Sequence, residues 1–89
     1  MATFFDVVGR MDRDVIAVCA TQETADRQRE EYGRTYQRIA YVRKTERPTD
    51  TQEYSDLMHL VRDSRQRREE ELIRHLQEIE RKAKRRMAV

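Results

Sequence analysis

Eighty-nine residues, 37% hydrophobic and 40% charged, make one small domain carrying far more charge than the ~25% of an ordinary soluble domain. The charges nearly cancel: 19 basic and 17 acidic residues leave a net +2, and a pI of ≈ 8.9 stops short of the ~9 that marks a dedicated nucleic-acid binder. A single cysteine, Cys19, excludes an intramolecular disulfide and suits a reducing compartment; no apolar run approaches the ~18 residues of a membrane span.

Thr3 to Val8 is β-branched and aromatic and predicts a strand. The N-terminus has no basic region and no long apolar stretch, so a signal peptide is not expected and the protein should be cytoplasmic. Gly9 to Asp14 breaks the strand, and Val15 to Cys19 predicts a second one, antiparallel across a loose hairpin. Thr21 is placed to cap a helix with Glu23 in its first turn, and Gly33 is placed to end that helix in a left-handed conformation. Only Ala25 and Tyr32 clearly face inward, so this helix is a thin cover.

Tyr36 to Lys44 predicts a third strand, and Glu46 to Asp50, around Pro48, a linker. The order is β-β-α-β. A right-handed crossover from the second strand to the third makes those two parallel. The expected fold is α+β, with a three-stranded head over residues 1–50 in strand order 2-1-3; order 1-2-3 is the alternative.

From Thr51 to Val89 there is no Pro or Gly, and the pattern reads as one helix of roughly 57 Å. Asp50 is its expected cap, with Glu53 in the acidic version of a capping box. The head can be only about 20–25 Å across, so about half of the helix should overhang it. The apolar positions form two groups. Tyr54, Leu57, Met58 and Val61 share a face and should complete the head's core. No apolar residue follows until Leu72, Leu76, Ile79 and Ala83, whose spacings of four, three and four make a short coiled-coil seam. Joining the two groups into one zipper would bury Arg65 and Arg68, a costly placement, so pairing is expected over residues 72–87 only. Asp63–Arg67, Glu70–Arg74, Glu78–Lys82 and Glu80–Lys84 are acid-before-base pairs four apart that support a solvated helix, the charged middle serving as a spacer.

Chemistry is sparse. His59 and His75 lack ligand partners at metal spacing. Cys19 lies in an apolar strand with no neighbouring His, which favours a buried structural thiol. Gly9 and Gly33 are the only glycines, so there is no phosphate loop. The chain is too short to enclose a substrate pocket of ~300–1,000 Å³. No enzyme activity, metal or cofactor is expected. Tyr32, Tyr36, Tyr41 and Tyr54 gather around the first helix and third strand, as packing or as an aromatic contact patch.

The stretch from Val15 to Asp26, a strand followed by Thr21-Gln-Glu-Thr-Ala25 and a helix, resembles a small β-β-α-β module of short bacterial and phage proteins. Length, Arg richness (16 of the 19 basic residues) and lack of chemistry are similar to accessory proteins of phages infecting GC-rich actinobacteria. The resemblance covers residues 3–44 and implies action by binding one host protein, in the host cytoplasm. It carries over no site residue, and the long helix departs from the compact module.

The expected function is therefore protein binding through Leu72, Leu76, Ile79 and Ala83 flanked by Arg74. The partner would be a second copy, through this helix or the sheet, or a target helix. The alternative is a nucleic-acid-binding regulator using Arg65, Arg68, Arg81, Lys82, Lys84, Arg85 and Arg86. Glu69, Glu70 and Glu71 stand between its two basic clusters and weigh against it.

Overall fold

A computed structural model describes residues 1–87. The order of elements is β1 (Ala2–Gly9), β2 (Val15–Cys19), α1 (Gln22–Tyr36), β3 (Ala40–Arg47) and α2 (Gln52–Met87). The α+β class and the β2-β1-β3 order are as the sequence predicts, with β1 antiparallel to both neighbours. The most apolar stretch of the longest strands takes the centre: Val7 and Val8 are buried to 0% and 1% exposure. Positions 88 and 89 of the predicted helix lie outside the described residues.

β1 pairs with β3 along its whole length, from Ala2 opposite Arg47 to Gly9 opposite Ala40. Its pairing with β2 shifts between Val7, opposite Ala17, and Val8, opposite Val15, leaving Ile16 as the extra residue of a bulge. Ile16 is buried in the cluster formed by Val7, Cys19, Ala25, Tyr32 and Ala40, and Ala17 packs against the same cluster. The bulge therefore turns two consecutive residues of β2 towards one core.

Two helix boundaries differ from expectation. Thr21 caps α1 as predicted, accepting from the Thr24 amide at 3.2 Å. The helix, however, runs through Gly33 to Tyr36 and is closed by Gln37 in the left-handed region, φ 54°. Tyr36 packs on Tyr32 one turn back, with ring centroids 5.2 Å apart; an aromatic pair of ~0.5–1.5 kcal/mol offsets the ~1 kcal/mol cost of an interior glycine. The third strand consequently starts at Ala40 instead of Tyr36 and extends to Arg47. Second, α2 is capped by Thr51 and not Asp50: the Tyr54 amide donates to the Thr51 hydroxyl at 3.2 Å.

A Cβ added at Gly33 would meet only the Arg38 carbonyl, at an ordinary 3.5 Å, and its φ is not positive. Gly33→Ala should therefore stabilise the protein by about 0.5–1 kcal/mol, through helix propensity and a less free unfolded chain. An unchanged or lower denaturation midpoint would contradict this.

Asp6, on the face of β1 shared with Phe4 and Val8, is fully buried. Arg47 grips it with two hydrogen bonds, Nη1 to Oδ1 at 2.9 Å and Nη2 to Oδ2, and Arg43 adds one to Oδ2 at 3.3 Å. Arg47 also lies over the Phe4 ring, 5.3 Å from its centroid. Burial pushes the Asp6 carboxyl up, but the hydrogen bonds and charges of Arg47 and then Arg43 outweigh it and hold it below the usual carboxylate range.

A lowered folded-state pKa stabilises the fold fully above the ordinary value of ~3.9, and that contribution is lost as pH falls through the folded value. Acid unfolding followed by circular dichroism should therefore steepen below about pH 4. Asp6→Asn, already destabilised at neutral pH, should lose less additional stability over that interval. Parallel stability–pH curves for the two proteins would rule the linkage out.

Candidate interaction surface

At ~1.5 Å per residue α2 is about 54 Å long, and it accounts for the longest dimension of a molecule measuring 62 × 24 × 19 Å. Its attachment to the head follows one face. Tyr54 stacks on Phe4 with centroids 5.7 Å apart. Leu57, Met58 and Val61 are half-buried, so they complete the head only in part and are not the sealed core that their spacing suggests.

The charged middle is not a free spacer. Ser64 is the one buried residue of α2 among those described, and it accepts from Arg67. The Arg68 guanidinium sits over the Tyr32 ring of α1, 5.7 Å from its centroid. A small side chain and a flat cation thus continue the contact where no apolar residue is available. Leu72 is the last half-buried position, and every described residue beyond it is exposed.

Support therefore ends at Leu72, and the free overhang is 73–87, about 22 Å of helix. Leu76 and Ile79 are 54% and 50% exposed, and Ile73 is 55%. Leu72, Leu76 and Ile79 line a hollow of about 490 Å³ in the corner between α2 and the end of α1, with Tyr36, Gln37 and Arg38 opposite. Leu72 and Arg68 also border a second, larger hollow of about 670 Å³. Its floor is β2 from Ile16 to Cys19 with Ala20 just beyond the strand, and its walls are α1 at Gln28, Glu31 and Tyr32 and α2 at Met58, Val61 and Arg62. The seam residues thus lie on the head-facing side of the overhang and lead into the trough between the helices.

That trough has the volume of a substrate pocket, which the chain length did not suggest. It is a half-open channel, and the thiol at its floor is not activated: burial, and then the charge of Asp6, push the Cys19 pKa up. No group of three or more His, Cys, Asp or Glu among the described residues is placed to hold a metal ion.

The basic residues separate. Arg65 donates from Nε to Glu69 at 3.2 Å, and Arg68 is taken up by Tyr32. Arg74, Arg81, Lys82, Lys84, Arg85 and Arg86 are exposed on the overhang, where Lys84 pairs with Glu80 at 3.6 Å. At about 100° per residue the run from 81 to 86 winds more than once around the helix, so it presents no single cationic face. Of the four acid-before-base pairs read from the sequence, Glu80–Lys84 closes; Arg65–Glu69 is a base-before-acid pair.

The four tyrosines do not form one patch. Tyr32 pairs with Tyr36 and Tyr54 with Phe4, while Tyr41 is exposed on β3 opposite Val8. Among the described residues no helix is long and apolar enough to cross a membrane.

Sequence reading missed two elements of this arrangement: the Asp6–Arg43–Arg47 cluster, and the packing of Arg68 on Tyr32 beside the buried Ser64, which carries α2 past the head. The signal for the first was an acid alternating with Phe4 and Val8 in an otherwise apolar strand. Comparison with family models, with curated proteins and with solved structures finds no match for this chain.

Proposed function

We propose that this chain is a non-enzymatic protein-interaction protein, a phage- or bacterium-encoded accessory factor that acts in the cytoplasm by binding and modulating a host protein. Its contact is the end of α2, with Leu72, Leu76, Ile79 and Ala83 as the apolar centre and Arg74 on the rim. The observation that carries this reading is the overhang itself. A helical end fifteen residues long keeps Leu76 and Ile79 half-exposed on one stripe, across an open hollow from Tyr36, Gln37 and Arg38 at the end of α1. Helix-in-groove and helix-pairing contacts use such a stripe, and isolated helices of this length are marginal until they pack.

Leu76→Asp on the full chain should remove binding of the host protein that the wild-type chain retains, because a charge is placed at the centre of the contact. The thermal midpoint should move by less than about 0.5 kcal/mol equivalent, since residue 76 is exposed in the free protein. Equal retention by both chains would refute the reading. The exposed Arg81, Lys82, Lys84, Arg85 and Arg86 support a nucleic-acid reading more weakly; there, Arg85→Ala with Arg86→Ala would weaken binding and flatten its salt dependence, while leaving a leucine-centred contact nearly intact.

A further inference from the structure

The distal part of α2 has a block of like charge on either side of its seam, with Arg74, Glu78, Glu80, Arg81 and Lys82 of mixed sign between the blocks. Glu69, Glu70 and Glu71 stand where α2 leaves the head, and Lys84, Arg85 and Arg86 stand near its end. Between them runs the seam of Leu72, Leu76, Ile79 and Ala83. Resting on the reading that this seam is a contact surface, we infer that its occupant in the free protein is the same segment of a second copy, laid antiparallel.

In that arrangement Leu72 is level with Ala83 of the second copy and Leu76 with Ile79, so the apolar residues meet in two reciprocal pairs. The same register, with no further adjustment, sets Glu69, Glu70 and Glu71 level with Arg86, Arg85 and Lys84 of the second copy. By the two-fold symmetry this happens at both ends of the contact. At about 100° per residue Glu69 and Lys84 fall on one flank of the seam and Glu71 and Arg86 on the other, the positions through which paired helices select orientation. A parallel pair would set the flanking Glu69 and Glu71 against their own kind, and Lys84 and Arg86 likewise, which is disfavoured; Glu70 and Arg85 lie on the far face of the helix and take no part.

The head adds to the match. Met87 of the second copy, 87% exposed in the free chain, comes level with Arg68, where the corner hollow and the trough between the helices meet. Tyr36 and Leu72 line both hollows there. Four turns of helix per copy bury less than a standard interface of about 1,600 Å², so a weak, salt-sensitive dimer is expected, in exchange with other partners of the same seam.

Sedimentation equilibrium of the full chain, up to several hundred micromolar at low salt, should show a monomer–dimer equilibrium that weakens in high salt. Glu69→Lys, Glu70→Lys and Glu71→Lys together should weaken the dimer about tenfold or more, and mixing with the chain carrying Lys84→Glu, Arg85→Glu and Arg86→Glu should restore it. Orientation is read separately, so that a helix loosened by charge reversal does not decide the outcome. In a Cys19→Ala background, chains with Leu72→Cys and Ala83→Cys are mixed and oxidised.

The antiparallel dimer predicts the mixed 72–83 disulfide over the 83–83 species. Preferential 83–83 linkage, or a dimer indifferent to reversal of the glutamates, overturns the orientation and leaves the seam as a contact surface. A chain that stays monomeric throughout, yet loses its host partner on Leu76→Asp, overturns the second copy as occupant while the protein-binding reading stands. A monomer whose host binding ignores Leu76→Asp overturns both.

Discussion

Arg47→Met should lower the stability of the folded chain by about 3 kcal/mol, the largest effect expected of any single substitution outside the apolar core. Asp6 is completely enclosed and Arg47 makes two of its three side-chain hydrogen bonds. Methionine fills much of the space of the Arg stem over Phe4, so packing is largely kept and the loss is electrostatic. What remains is a buried carboxylate with Arg43 as its single cation, and Arg43 is half-exposed. Removing one partner of a buried pair typically costs about 3–5 kcal/mol; the lower end applies because Arg43 stays. In a domain of this size that is a large part of the total. Urea denaturation measures it directly. The companion exchange of Asp6→Leu with Arg47→Met should recover much of the loss, because no buried charge is then left unpaired and the half-exposed Arg43 reaches water. If Arg47→Met shifts the midpoint by less than about 1 kcal/mol equivalent, water rather than Arg47 is compensating Asp6.

Tyr32→Ala should cost about 3–4 kcal/mol, in the range for removing a large buried aromatic. Tyr32 is 6% exposed, belongs to the central cluster, stacks on Tyr36 and receives Arg68 of α2 on its ring. One truncation therefore strips α1 of its largest anchor and α2 of its distal hold. Tyr32→Phe keeps the ring, and the hydroxyl has no hydrogen bond among the described residues, so the cost there should stay below about 1 kcal/mol. Hydrogen exchange separates the two roles. Amides near Ser64 and Arg68 should lose protection in Tyr32→Ala even under conditions where the strands remain protected. Uniform loss across the sheet and α2 would mean that α2 has no separate attachment at this point.

The head was legible because its signals are local and mutually consistent. β1 and β2 are short apolar runs separated by turn residues, Thr21 announces a helix, and the crossover rule leaves few arrangements for the third strand. Boundaries failed where a contact between side chains decided them. Gly33 reads as a stop, yet the Tyr32–Tyr36 stack carries the helix onward; Asp50 and Thr51 are both good caps, and the amide geometry chose Thr51.

The middle of α2 was misread for a different reason. Counting apolar residues treats Ser64 and Arg68 as solvent-facing, although a serine permits close approach and a guanidinium stacks by its face. The Asp6 cluster joins residues 37 and 41 positions apart, a separation at which no periodicity speaks. The exposure of Leu76 and Ile79 was legible from helical spacing and the short head, whereas Leu72, expected to be free with them, is half-buried.

The two borders of the sheet are unlike. β3 carries Arg43, Lys44, Glu46 and Arg47 among its eight residues, a density of charge that discourages another sheet from adding to it. β2, from Val15 to Cys19, carries none, and an uncharged apolar edge of that kind is a template for stacking into fibres. Here it forms the floor of a channel, with α1 and α2 rising on either side. The long helix is therefore also a guard rail. Shortening α2 from its far end takes away the seam alone, whereas loosening it between Tyr54 and Leu72 uncovers the one stretch of this chain with the composition of an aggregating strand.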